Sequence, residues 1–78
     1  NVDLRGAFLQ SAFLNNADLR GSDLSDADLS DADLRGADFE HAHLITADFR
    51  GSTYNDQTVF PEGFDPESRG MMYQDESE

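Results

Sequence analysis

The sequence predicts an all-β solenoid, and three observations carry that expectation. An apolar residue recurs every five positions through eleven consecutive quintets: Leu4, Leu9, Leu14, Leu19, Leu24, Leu29, Leu34, Phe39, Leu44, Phe49 and Tyr54. Two positions before each stands a small residue, Ala in eight quintets and Ser22 and Ser52 in two more, with Val2 at the start. Finally, a period of five suits neither ordinary element. Advancing five residues along an α-helix rotates a side chain by about 140°, which would spread these residues around the whole surface. Along a straight strand, an odd period sends alternate ones to opposite faces.

The pattern becomes consistent if the chain turns once per quintet, so that every central residue again points inward. Short extended segments joined by turns then wind into coils stacked about 4.8 Å apart by backbone hydrogen bonds. Leu and Phe fill the axis, and the small residue sits where a side runs too close to the axis for anything larger. The number of sides per coil is less directly written. Within the repeat, Arg-Gly pairs fall at Arg5, Arg20, Arg35 and Arg50, fifteen apart. A three-sided coil would stack all four guanidinium groups, whereas a four-sided coil separates them. Like-charge repulsion leans toward four sides, but Asp residues stack in either register.

The quintets ADLRG, ADLSD and ADFRG resemble those of the pentapeptide-repeat family, and the resemblance runs over residues 1–56. It implies a right-handed quadrilateral β-helix with four quintets per coil. Eleven quintets would make about 2.75 coils, roughly 13 Å tall at the strand spacing.

After residue 56 the pattern stops. Pro61 and Pro66 lack the N–H a ladder needs, while Gly63 and Gly70 permit turns. Val59, Phe60 and Phe64 have no quintet to join, so residues 57–73 are expected to fold across the last coil as a C-terminal cap. Residues 74–78, QDESE, read as a flexible acidic tail. The other end has no matching lid. A terminal repeat needs a cover, so the first coil is expected to meet an upstream segment or domain, with an end-to-end homodimer as the second choice.

The residue before each central one faces outward on this scheme. It is Asp in seven quintets, including the candidate acidic surface Asp18, Asp23, Asp28, Asp33 and Asp38. The plain reading of these rows is a solvated face that discourages edge aggregation and whose carboxylates bond nearby N–H groups. The sharper reading is mimicry of nucleic acid, because some relatives connected with quinolone resistance resemble a DNA duplex and bind DNA gyrase. Residues 1–56 hold eleven acids and four Arg, a net −7; a duplex carries about eight charges over 13 Å. The density matches, but the length corresponds to only about four base pairs. Phe8 and Phe13 stand where their neighbours carry Asp, on adjacent faces beside the uncovered end. An exposed aromatic pair there suggests a docking patch for an upstream segment or a separate protein.

Composition removes other classes. The chain carries seventeen Asp and Glu against five Arg and no Lys, a formal charge of −12, which speaks against direct nucleic-acid binding. No Cys means no disulfide, thiolate metal site or Cys nucleophile. No apolar run is long enough to span a membrane. Asp28, Asp31 and Asp33 lack the loop that would converge on calcium, and His41 and His43 lack a rigid third ligand, so no metal and no cofactor are expected. A solenoid filled with Leu and Phe leaves no cleft in which two carboxylates could be tuned apart, so no enzyme is expected. The expectation is a non-catalytic interaction or scaffold module within a larger protein, its protein partner unnamed; inhibition of gyrase by mimicry is the alternative. On resemblance the source is cyanobacterial-like, with the compartment open between cytoplasm, periplasm and thylakoid lumen.

Overall fold

In the computed structural model, which describes residues 2–74, every quintet is a short extended side followed by a tight corner. Each corner is closed by an N–H three residues along: Ala7 N–H donates to the Leu4 carbonyl at 3.0 Å, and Ser52 N–H to the Phe49 carbonyl at 3.0 Å. The third residue of the corner has positive φ at Gly6 (68°), Gly21 (69°), Gly36 (75°) and Gly51 (78°), and also at Ser11, Asn16, Asp26, Asp31 and His41. That is the geometry of a type II turn, and it explains why Gly, Asn, Asp and Ser crowd these positions.

Parallel single-residue bridges join the coils at a spacing of twenty: Asp3 with Asp23, Phe8 with Asp28, Phe13 with Asp33, Asp18 with Asp38, and onward to Asp33 with Thr53. Twenty residues are four quintets, so each coil has four sides, and Arg5, Arg20, Arg35 and Arg50 occupy four different corners. Named strands are brief: β1 (Thr53–Tyr54) pairs in parallel with β2 (Met72–Tyr73).

The corners stack as regularly as the sides. Gly6 N–H donates to the Ser25 carbonyl of the next coil at 2.9 Å, and Ser11, Asn16, Gly21 and Asp31 repeat the bond. The corner at Leu44–Ala47 departs from this, because β-branched Thr46 does not take a left-handed conformation. The Asp26 N–H beneath it finds the Thr46 Oγ1 at 2.9 Å instead of a carbonyl.

The core is the stack of central residues. Leu24, Leu29, Leu34 and Phe39 are fully buried, with Ala27, Ala32 and Ala37 beside them, while Leu4, Leu9 and Leu14 of the first coil are only partly covered.

Val59 does not lie over the core. Its N–H donates to the Ala37 carbonyl at 2.9 Å and its carbonyl accepts from Phe39 N–H at 2.8 Å, so it continues the side of the coil, half-exposed and paired with Asp38. The spacing there is twenty-one, because one residue is inserted between Tyr54 and Val59. Asn55 and Thr58 absorb the insertion: Gly36 N–H reaches Asn55 Oδ1 and Thr58 Oγ1, both at 3.1 Å, and Thr58 Oγ1–H donates to the Leu34 carbonyl at 3.0 Å. The stacked architecture thus extends past residue 56 to Phe60.

From Pro61 the chain cuts across the end of the stack. Phe60 lies parallel to Phe39 at 6.0 Å and to Phe64 at 5.0 Å, and Phe64 meets Phe49 edge-on at 5.5 Å. A short 3₁₀ turn, Glu67–Arg69, ends at Gly70 (φ 82°). The chain then rejoins the stack, with Met72 N–H on the Ser52 carbonyl at 2.7 Å and Gln74 N–H on that of Tyr54 at 2.8 Å. The rest of the expected tail, residues 75–78, lies outside the described residues.

Candidate interaction surfaces

The outward Asp residues are tied to their own corners. Each accepts the backbone N–H two residues on, as Asp18 Oδ1 does from Arg20 (3.3 Å), Asp28 from Ser30 (3.0 Å) and Asp38 from Glu40 (3.0 Å). At Asp23 and Asp28 a Ser hydroxyl adds a second bond, at 2.6 and 2.7 Å. At Asp3, Asp18, Asp33 and Asp48 an Arg fork closes on both oxygens; Arg35 holds Asp33 through Nε at 2.8 Å and Nη2 at 2.7 Å. These side-chain hydrogen bonds to Arg, then those from the backbone, lower the carboxyls of Asp3, Asp18 and Asp48 to about 2. Asp33 is also held well below the usual range, first by Arg35, and Asp23 is lowered chiefly by Ser25.

The twenty-residue register limits how far acids stack. The first face carries Asp3, Asp23 and His43; the second Phe8, Asp28 and Asp48; the third Phe13, Asp33 and Thr53; the fourth Asp18, Asp38 and Val59. No face has more than two successive Asp among these positions. Arg5 and Arg20 also approach the Asp of the next coil, Asp23 and Asp38, at 4.0 Å.

Phe8 and Phe13 project from the second and third faces of the first coil, 84 and 86 % exposed. His43 faces out on the first face, and His41 stands at a corner, 3.7 Å from Glu40. Among the described residues no three His, Asp or Glu side chains come together as a metal site.

Arg69 is a structural participant that the reading in fives passes over. Its Nη2 donates to the carbonyls of Ile45 (2.7 Å) and Ala47 (2.8 Å), with Leu44 at 3.4 Å, and its guanidinium lies over Phe64 and Phe49. The signal was present as a fifth Arg-Gly pair, nineteen residues after Arg50, and Gly51 N–H does bond the Gly70 carbonyl at 3.0 Å. Beside Arg69 a groove of ≈ 570 Å³ separates Ala42–Ile45 from the loop at 61–65.

A four-sided stack of hydrogen-bonded corners, apolar inside and acidic outside, defines a class of solenoid built on a five-residue unit. The chain belongs to the pentapeptide-repeat family: the family's sequence pattern matches eight copies, over residues 1–36 and 14–51. Among solved structures it is similar to a pentapeptide repeat protein, Rfr23, from the cyanobacterium Cyanothece 51142, at 34 % identity and a TM-score of 0.73. That match covers 74 % of this chain and 40 % of the Cyanothece protein, so the chain spans less than half of that relative. A second similar structure is alr5209, a pentapeptide repeat protein from Nostoc Pcc 7120, at 36 % identity and a TM-score of 0.51, covering 95 % of this chain and 74 % of the other. No curated protein matches the chain. Among the described residues no helix is long and apolar enough to cross a membrane.

Proposed function

We propose that the chain is a non-catalytic interaction module within a larger protein, a rigid acidic prism that offers side chains from its faces and ends to a protein partner. Its coils wind right-handed through about 2.75 turns over residues 1–56, as the family resemblance implies. The observation that carries this reading is the pair Phe8 and Phe13, each more than four-fifths exposed, on adjacent faces beside the least covered coil. Large exposed aromatics rimmed by charge are what protein interfaces use as anchors. The axis filled by fully buried Leu24, Leu29, Leu34 and Phe39 supports the non-catalytic reading.

The mimicry of a nucleic acid draws less support. A duplex presents an unbroken line of phosphates, whereas here Asp columns are at most two high and four of the seven outward Asp are forked by Arg.

The test replaces Phe8 and Phe13 together by Asp and compares thermal stability and captured partners with the parent, at low and high salt. A partner lost by the variant at unchanged melting temperature, and kept by the parent at high salt, supports docking through the aromatic pair. The same partners on both proteins would overturn it. Selective gyrase inhibition by the parent, beyond that of an unrelated acidic protein of equal charge, would favour the mimic.

A further inference from the structure

On the first face the ladder ends at His43, one rung short of the third face. Each side passes its bonds upward in the same way: Leu24 N–H donates to the His43 carbonyl at 3.0 Å, and His43 N–H donates to the Ser22 carbonyl at 2.9 Å. Among the described residues the third face carries this one rung further, with Met72 above Thr53. Above His43 the chain instead leaves through Pro61 and crosses the end of the stack. The Leu44 N–H and the Ala42 carbonyl, the two groups that would flank the next bridge, have no hydrogen-bond partner among the described residues. Both residues are buried, Leu44 at 2 % and Ala42 at 8 % exposure. A buried, unpaired peptide group costs about 1–3 kcal/mol, so this edge favours any strand that can pair with it.

The groove beside Arg69 lies along that edge, with Ala42–Ile45 as one wall and the 61–65 loop as the other. Ile45, 84 % exposed, supplies an apolar lip. The charge around it is acidic: Glu62 and Asp65 line the groove and Asp23 sits beneath His43. The single Arg lining it, Arg69, is already spent on the Ile45 and Ala47 carbonyls.

We infer that the first-face edge at Ala42–Leu44 is a strand-addition site for an extended, cationic peptide segment of a partner. One peptide residue stacks over His43, sends its N–H to the Ala42 carbonyl and takes the Leu44 N–H on its own carbonyl, repeating the bond pair made one coil below. Backbone pairing supplies the affinity, and the acidic rim selects basic over acidic sequences. This site is separate from the Phe8 and Phe13 patch, and either stands without the other.

The experiment follows individual amides of the whole 78-residue chain by NMR and hydrogen exchange. In the free, dilute protein the Leu44 amide exchanges at least about tenfold faster than the Leu24 amide, its equivalent one coil below. The peptide acetyl-Lys-Val-Lys-Ile-Lys-Val-amide at millimolar concentration slows Leu44 exchange by about tenfold or more, with Leu24 unaffected. Its Glu-for-Lys counterpart and a backbone N-methylated version do not. Glu62→Lys combined with Asp65→Asn, which keeps a side-chain oxygen to accept the Glu67 N–H now bonded to Asp65 Oδ1 at 3.1 Å, weakens the cationic peptide about tenfold at unchanged melting temperature. Equal protection by all three peptides, no protection by the cationic one, or a Leu44 amide already as slow as Leu24 would overturn the inference. So would protection that rises with protein concentration alone, which would make a second copy the occupant.

Discussion

Replacing Arg69 by Met tests how the C-terminal end of the stack is held. The substitution keeps most of the apolar stem, which packs against the end of the core, and removes the fork. Two charge-assisted bonds are lost, to Ile45 at 2.7 Å and Ala47 at 2.8 Å, together with the contacts over Phe64 and Phe49 at 5.3 and 5.8 Å. The Ala47 carbonyl belongs to a buried residue and loses its partner, at about 1–2 kcal/mol; the more exposed Ile45 carbonyl turns to water and costs about 0.5–1. The ring contacts add about 0.5–1 kcal/mol. The expected loss is about 3 kcal/mol, read by urea unfolding, or a fall in melting temperature on the order of 10–20 °C for a domain of this size. Arg69→Lys recovers about 1 kcal/mol at most, because an ammonium cannot bridge two carbonyls with a planar fork. A loss below about 0.5 kcal/mol for the Met variant would refute the reasoning, and full recovery by Lys would show that charge alone matters.

The coils also differ in how much they hold. Leu29→Ala, in the fully buried middle, is expected to cost about 2–5 kcal/mol, and Leu4→Ala, in the partly covered first coil, about 1 kcal/mol; equal losses in denaturant titrations would contradict a loose first coil. Stability should also fall on acidification. The carboxyls of Asp3, Asp18 and Asp48 are lowered from 3.8 to about 2 in the folded chain, so their contribution is complete above the unfolded value and disappears as pH drops through about 2. The melting-temperature advantage of the parent over a variant with Asn at all three positions should therefore shrink between about pH 4 and pH 2; a constant gap would show that the Arg forks are not maintained in solution.

Much of the architecture was legible in the residues, because a five-residue period keeps Leu4, Leu9 and Leu14 all inward if the chain turns once per quintet. The number of sides was harder, since both fifteen and twenty are multiples of five and the outward Asp residues tolerate either. Only the bridges, Asp3 to Asp23 and its successors, decide it. Val59 was misplaced for a local reason: the residue inserted after Tyr54 breaks the frame of fives, and side-chain oxygens of Asn55 and Thr58 replace the corner carbonyl that the frame would have supplied. Arg69 escaped for the same reason, because nineteen is not a multiple of five. The groove at Ala42–Ile45 depends on where the chain leaves the stack, which Pro61 permits but does not specify. Phe8 and Phe13 were visible throughout, as the two aromatic interruptions among outward positions that mostly carry Asp.

The self-contained Asp corners have one more implication. Each outward carboxylate is satisfied within its own quintet, by a backbone N–H two residues on and often by the adjoining Arg or Ser side chain. The exterior therefore behaves as a grid whose cells are addressed by row, five residues apart, and by column, twenty apart. Rewriting one cell disturbs at most the cell above or below it, and the axis not at all. A surface of this kind lets new binding patterns be composed one cell at a time, with effects that add across faces.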